Sequence, residues 1–480
     1  MEKKLTFRQG SILLLAVLCL LGVGFYAIAH EQMSRKIDFE SGVQPNANVG
    51  ELTAGTVVEQ EITSDADILH TFELYFQTYA RVNQGHVSVS LLDGDDTLYD
   101  CVLDAAALQD NAYAVFAPEL SGLRGRTLTL RVTSSDGEAG SAVTLTYGST
   151  AQVGHGSVAV DIAAPATLNG AALDGTLCVN LTTETTLWFG QIYWYVFAGV
   201  LLACGAYLLF LNRCASQGRN CAGLRFLSAM RRYRFLLQQL VDRDFKTKYK
   251  RSILGMFWSF LNPLLTMLVQ YVVFSTLFKS DIPNYPVYLL TGIVCFTYFS
   301  ETISQCMMSI VGNAALITKV YVPKYIYPLS KSLSSGINLL LSMIPLLLVM
   351  LLTGLWPKPA FLLLPFGLVC LFVLSLGMGM LLATSMVFFR DTQFLWGVVS
   401  MLWMYATPIF YPESIIPQKL MLLYKMNPLY HIIRFCRSVL IDGISPEPKA
   451  YLLCLIACFL PLLLGLFVFK SQQDKFILYI

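Results

Sequence analysis

The chain is 480 residues long, with 33 Lys and Arg against 31 Asp and Glu, 55% hydrophobic and only 13% charged. Soluble domains carry about a quarter charged residues, and a mean hydropathy of +0.58 excludes a water-soluble globular enzyme, because much of this length must be dissolved in lipid. The near-neutral total conceals a segregation: residues 30–187 hold 6 basic and 21 acidic residues, the remainder 27 and 10.

Eight apolar stretches approach the roughly 20 residues that a helix needs to cross a bilayer: 11–29, 188–211, 256–278, 286–311, 334–355, 360–388, 393–411 and 451–470. The first follows Lys3, Lys4 and Arg8 and ends on Ala27-Ile28-Ala29, which also suits a secretory signal. Its length favours an uncleaved anchor over 1–29, and either reading puts residue 30 outside. From 30 to 187, the runs TVVEQEI (56–62), HTFELYF (70–76), HVSVSLL (86–92), RTLTLRV (126–132) and AVTLTY (142–147) alternate apolar with polar side chains. Such period-2 runs, punctuated by Gly and Asp turns, predict an extracellular all-β sandwich, a pattern compatible with a jelly-roll-like form. Cys101 and Cys178 belong to this segment and could pair in an oxidising compartment; the other cysteines fall mostly in apolar runs and read as small hydrophobes. The acidic turn Asp93-Gly94-Asp95-Asp96 lacks the spacing of a calcium loop and reads as a solvated turn.

A second crossing over 188–211 leads into 212–252, where basic residues from Arg213 to Arg251 mark a cytoplasmic segment. Within it, Phe226, Met230, Tyr233, Leu237, Leu240, Val241, Phe245 and Tyr249 recur at helical spacing, opposite Arg231, Arg232, Gln238, Gln239, Asp242, Arg243, Lys246 and Lys250. That pattern predicts an amphipathic helix lying in the membrane interface. Residues 253–480 hold the remaining six crossings, and the even total returns the C-terminus to the inside. The segment 412–449 then falls outside despite Lys419, Lys425, Arg434, Arg437 and Lys449. Pro412, Pro417, Pro428 and Pro446 cut it into pieces too short to span, which are tolerated at membrane depth where they line a cavity or are buried in protein.

The chain has no G-x-x-x-x-G-K-[ST] phosphate loop, so it lacks the usual means of binding nucleotide and needs another chain to power uphill transport. His30, His70, His86, His155 and His431 are scattered without metal-ligand spacing, and no nucleophile has an evident base. No catalytic residue, metal site, cofactor or nucleic-acid partner is therefore assigned to it.

The run from Tyr249 through Lys250, Arg251, Ser252, Leu254, Gly255, Phe257, Trp258, Phe260, Asn262 and Pro263 to Leu264 resembles the entry into the first span of type-2 ABC exporter permeases, those that export polysaccharide O-antigens and teichoic acids. NAALITKVYVPKYIYPLS at 313–330 is similar to that family's cytoplasmic coupling segment and FFRDT at 388–392 to its inner loop. YATPIFYP at 405–412, with Asn427-Pro428 and Arg437, is similar to its outer gate, and the tail FKSQQDKFILYI also fits. The resemblance covers about 229–480 in the family's order; the first 228 residues lie outside it.

The resemblance implies a six-helix permease core acting as a homodimer with two copies of a separate ATP-binding subunit, on which ATP and Mg would sit. A lipid-linked polysaccharide or teichoic-acid-like polymer would be the cargo. Asn313, Leu316, Lys319, Tyr321, Pro323 and Lys324 would contact the ATPase. A lipid-diphosphate carrier calls for cations at the cytoplasmic leaflet, where Arg243, Lys246, Lys248, Lys250 and Arg251 lie. The flat faces of Phe257, Trp258 and Phe260 at one end, and of Trp403, Tyr405, Phe410 and Tyr411 at the other, suit a sliding glycan. Glu301, an acidic residue deep in a permease span, joins that path as an intramembrane carboxylate. The expected location is the plasma membrane, with both termini inside and 30–187 outside. A type-2 exporter of a small lipid or drug, and a membrane-anchored surface sensor or adhesin, are the alternatives.

Overall fold

The alternating runs of the acidic segment close into two antiparallel sheets. The computed structural model describes residues 7–148, 164–217, 219, 221–250, 253–278, 282, 284–320 and 322–479, and Met33–Gln191 forms one of its two compact units. A six-stranded sheet runs in the order Ala171–Ala172, Thr167–Leu168, Val57–Ser64, Arg126–Ser134, His86–Asp93, Asp96–Asp104. The second sheet follows the path Arg35–Glu40, Val179–Thr186, Ile68–Gln77, Thr144–Gly148, Thr176–Leu177, with Ala112–Phe116 and Leu120–Ser121 also on Ile68–Gln77. Because side chains alternate faces, Phe72, Leu74 and Phe76 of one sheet meet Val89, Leu91, Leu128, Leu130 and Val132 of the other in a shared core. Cys101 lies in the six-stranded sheet, Cys178 is buried beside Val179 in the other, and both are free thiols, so the pairing considered above does not form. The acidic turn is the bend of a hairpin in which Asp93 pairs with Asp96, and Arg126 Nη1 sits 2.8 Å from Asp93 Oδ2.

The other unit, Met1–Gln32 with Ile192–Ile480, is helical. In chain order come α1 (Phe7–Ser34), α2 (Trp188–Ser216), α3 (Ala222–Tyr249), α4 (Phe257–Phe278), α5 (Tyr285–Met307), α6 (Ala314–Ile317) and α7 (Ile326–Leu352). They are followed by α8 (Leu364–Phe388), α9 (Thr392–Tyr405), α10 (Gln418–Met426), α11 (Pro428–Arg437), α12 (Pro448–Gln472) and α13 (Phe476–Tyr479). Among the described residues, seven helices are long and apolar enough to cross a membrane: α1, α2, α4, α5, α7, α8 and α12. The eighth stretch, expected as a helix over 393–411, is instead the 14-residue α9, about 21 Å long, continued by non-helical backbone. It still runs the length of α5. Trp396 Nε1 donates to Ser304 Oγ (3.0 Å) near the end of α5, and Tyr285 Oη, at its start, donates to the Phe410 carbonyl (2.6 Å). Pro408 has no N–H to continue the helix. Arg437 donates to the Pro408 and Ile409 carbonyls, which meets the need for satisfied backbone at this depth.

Small residues let the central helices close. A Cβ at Gly465 of α12 would lie 2.2 Å from the Gly377 carbonyl oxygen, and one at Gly377 of α8 would lie 2.5 Å from Leu462 Cα, so backbone meets backbone as in tightly packed membrane helices. The two ends of the bundle are distinct. Lys358 Nζ donates to the Asp442 carbonyl (3.2 Å), which groups the α7–α8 turn with the link between α11 and α12. At the opposite end, α3, α6, the start of α7 and α13 gather, with Leu240, Ile317, Tyr327, Val387 and Phe476 in one apolar cluster.

Candidate functional site

At the α3 end, the helical spacing of Tyr233, Leu237 and Leu240 directs these side chains onto that cluster, so part of the apolar face of α3 packs on protein. Its opposite face stays polar. Arg243, Lys246 and Lys250, with Phe245, Thr247 and Met256, line a cleft of about 600 Å³. Arg243 Nη2 also lies 3.1 Å from Asp244 Oδ1 and donates to Asn313 Oδ1 (3.2 Å). Lys248 is not part of the cleft. It and Glu301, given to different tasks by the sequence reading, are partners: Lys248 Nζ lies 2.5 Å from Glu301 Oε1, which also accepts from Gln305 Nε2 (2.7 Å). Glu301 lies six residues from the end of α5 and is 28% exposed, so it is not the deep carboxylate expected from the sequence, and the cation that compensates it comes from α3. Arg251 lies outside the described residues.

Asp244, which that reading passed over, is the most enclosed acid here: its side chain is 9% exposed, and Oδ2 lies 3.0 Å from Lys331 Nζ of α7. Its signal was present. Asp244 falls beside Leu240 and Val241 on the flank of α3 that turns toward the bundle, where an acid needs a partner.

The segment after α5 is a 3₁₀ turn over Val311–Asn313, then α6, then a turn into α7. Asn313 Nδ2 donates to the Ser309 carbonyl (2.8 Å), fixing the turn from within, while Ile317 is buried and Leu316 half-buried against the apolar cluster. The Pro323 carbonyl accepts the Ile326 N–H (3.1 Å) where α7 begins. Lys319 and Val320 are exposed at the tip. Lys324 is not: its Nζ donates to the Gln473 carbonyl and sits 5.7 Å over the Phe476 ring, so this cation is anchored on the C-terminal segment. Tyr321 lies outside the described residues.

The aromatic residues divide similarly. Phe257 and Trp258 at the start of α4 are exposed, with Phe257 stacked on Phe260 at 5.3 Å. At the far end Tyr405 is 56% exposed. Phe410, by contrast, is buried and stacked on Phe274 at 5.1 Å, and Trp403 Nε1 donates to Asn427 Oδ1 (2.9 Å). Phe410 serves packing, because a ring already covered on its face has none to offer a sugar, while the half-buried Trp403 is fixed by its edge. Tyr411 Oη donates to the Tyr405 carbonyl (2.8 Å) and lies 3.0 Å from Tyr424 Oη. Arg437 organises this region from a buried position. Nη1 donates to the Pro408 carbonyl (2.7 Å), Nη2 to those of Ile409 (3.0 Å) and Tyr288 (3.2 Å), and the guanidinium carbon lies 3.4 Å from the Tyr288 ring centroid. The planar fork suits that geometry and an ammonium does not. Gly292 makes room for it, since a Cβ there would lie 3.0 Å from Nη2.

Among the described residues, no group of three or more His, Cys, Asp or Glu is placed to hold a metal ion. The family model for ABC-2 type transporters matches residues 236–441. An O-antigen export system permease protein RfbA of Klebsiella pneumoniae is 30% identical over 249 residues, 50% of this chain and 93% of that protein. The protein of the same description from Myxococcus xanthus is 29% identical over 256 residues, 53% and 98% of the two chains. The polysialic acid transport protein KpsM of Escherichia coli is 22% identical over 241 residues, 50% and 93%. The family match begins inside α3, leaving α1, the β unit and α2 outside it.

Proposed function

Because this chain belongs to the ABC-2 type transporter family, we propose that it is the membrane subunit of a polysaccharide exporter, powered by ATP hydrolysis on a separate chain. The cargo is a lipid-linked polysaccharide or teichoic-acid-like polymer, and the permease works as a homodimer in the plasma membrane with the α3 end facing the cytoplasm. One observation carries the cargo assignment: Arg243, Lys246 and Lys250 share a cleft with Met256, at the foot of α4. Cations grouped at headgroup depth bind phosphate oxygens through charge-assisted hydrogen bonds. The exposed rings of Phe257 and Trp258 offer the attached sugars flat, weakly held surfaces.

In this mechanism the partner docks at the exposed Lys319–Val320 tip and closes on ATP. Motion of the tip passes to α3 through Arg243 and Asn313, and from α3 to α5 and α7 through Lys248–Glu301 and Asp244–Lys331. The sensor or adhesin alternative leaves the family match unexplained. Depletion of the protein is expected to accumulate lipid-linked glycan inside cells. Lys246→Gln with Lys250→Gln should cut carrier binding about tenfold or more while the ATPase subunit still copurifies. Normal carrier binding and export in that double variant would refute the assignment.

A further inference from the structure

The family match starts at residue 236, so α1 has no counterpart within it, yet α1 is docked onto the helical core that the matched helices share with α12. Phe25 meets Tyr451 of α12 edge to face, with ring centroids 5.2 Å apart and planes at 88°. Ile28, about one turn later, packs on the same core. Elsewhere α1 turns Ile12, Leu13, Val17, Leu20 and Leu21 outward, so the contact is not a general burial of the helix.

What Phe25 touches gives the contact its meaning. Tyr451 also meets Phe435 of α11 (5.0 Å, 82°) and Phe366 of α8 (5.2 Å), and Phe366 meets Phe435 at 5.2 Å. The Tyr451 hydroxyl lies 2.9 Å from Ser445 Oγ, and Ser445 is buried in the link between α11 and α12. One ring from α1 therefore closes a four-ring cluster whose other members stand on three permease helices. Phe435 is two residues from Arg437, which holds the Pro408 and Ile409 carbonyls. On the other side α1 is fixed to α2: Tyr193 Oη donates to the Gly22 carbonyl (2.7 Å), and a Cβ at Gly22 would lie 2.0 Å from the Phe197 ring.

We propose that α1 is a working part of the permease and that Phe25 is a positioning residue: by seating Tyr451 against Phe366 and Phe435 it sets the position of α11 and, through Arg437, of the 408–409 backbone. The helix pair that brackets the β unit in sequence thus has a continuous packed line to the short helices that follow α9. Aromatic pairs prefer this edge-to-face geometry, and coupling of this kind runs through packed side chains with no ligand contact of their own.

Hydrogen exchange of the full chain in lipid nanodiscs, without nucleotide or cargo, tests the placement. Phe25→Ala should speed amide exchange across 428–442 about tenfold, leaving 371–383 of α8 unchanged, and Phe25→Tyr should restore the wild-type rate. In cells, Phe25→Ala should lower glycan export several-fold with the ATPase subunit still bound, and Phe25→Tyr should recover it. Unchanged exchange in 428–442, a rise spread equally over the bundle, or wild-type export in Phe25→Ala would each overturn the proposal. The exchange measurement needs no transport, so its failure is distinguishable from failure of the function proposed above, on which only the export readout rests.

Discussion

His70 of the β unit is held between two carboxylates, Nδ1 2.8 Å from Glu119 Oε2 and Nε2 2.9 Å from Glu184 Oε2. Both ring nitrogens can donate only in the imidazolium form, and the hydrogen bonds to Glu184 and then Glu119 raise the pKa of the ring. A group raised above its unfolded value of about 6.5 contributes its full stability below that value and loses it as pH climbs through the folded one. The 33–191 unit should therefore lose stability as pH rises above about 6.5, and His70→Gln should flatten that slope. His86, raised by Asp136, titrates in the same direction, so the informative quantity is the gap between wild type and variant in thermal melts at about pH 5.5 and about pH 8.5. A gap equal at both would refute the assignment. Single residues of this kind were legible only halfway. Glu301 stood out in the sequence as an intramembrane acid in need of compensation, but Lys248 is 53 positions away, and no local pattern joins them. Phe410 and Tyr405 looked alike as aromatics of one motif; covering by Phe274, a contact 136 positions distant, separates their roles.

At the scale of elements, three polar links of unequal exposure add to the apolar packing of α3 on the bundle among the described residues. Lys248–Glu301 and Arg243–Asn313 are partly solvated, and exposed pairs contribute about 0.2–1 kcal/mol. Asp244–Lys331 is more enclosed, and breaking an enclosed pair leaves an uncompensated charge costing about 3–5 kcal/mol when burial is complete. Asp244→Lys should therefore abolish export or deplete the protein from the membrane. Joined to Lys331→Asp it should regain a substantial part of both, measured as surface glycan per copy of protein. A double variant no better than the single one would show that the pair does not link α3 to α7. The period of 3.6 residues announced α3 clearly, as period 2 announced five strands of the sandwich. The break in α9 was harder to see although Pro408 was in plain view, because the run 393–411 stays apolar throughout. What licenses the break, the guanidinium of Arg437, arrives 28 positions later. Strand Val179–Thr186 escaped notice for a related reason: VNLTTETT has little polar alternation, being buried on both faces over much of its length.

For the whole molecule, charge segregation and motif order made both units legible, since lipid and water sort residues by composition whatever the local geometry. Orientation is a global property that one location tests. Cys214 at the end of α2 and Cys221 just before α3 have Cα atoms 6.6 Å apart and form a disulfide in this structure. Whether that bond persists depends on the compartment, not on reach. The orientation proposed above, which follows the basic residues from Arg213 to Arg251, puts this end in the cytoplasm, where glutathione and thioredoxin keep thiols reduced. Cells quenched with a membrane-permeant alkylating agent before lysis should therefore yield a 212–225 peptide carrying two alkyl groups, one on each cysteine. Recovery of the intact disulfide would place this end in an oxidising compartment and the 33–191 unit on the cytoplasmic side. The cleft of Arg243, Lys246 and Lys250 would then face away from any carrier charged inside the cell, and the export direction proposed above would fall with it.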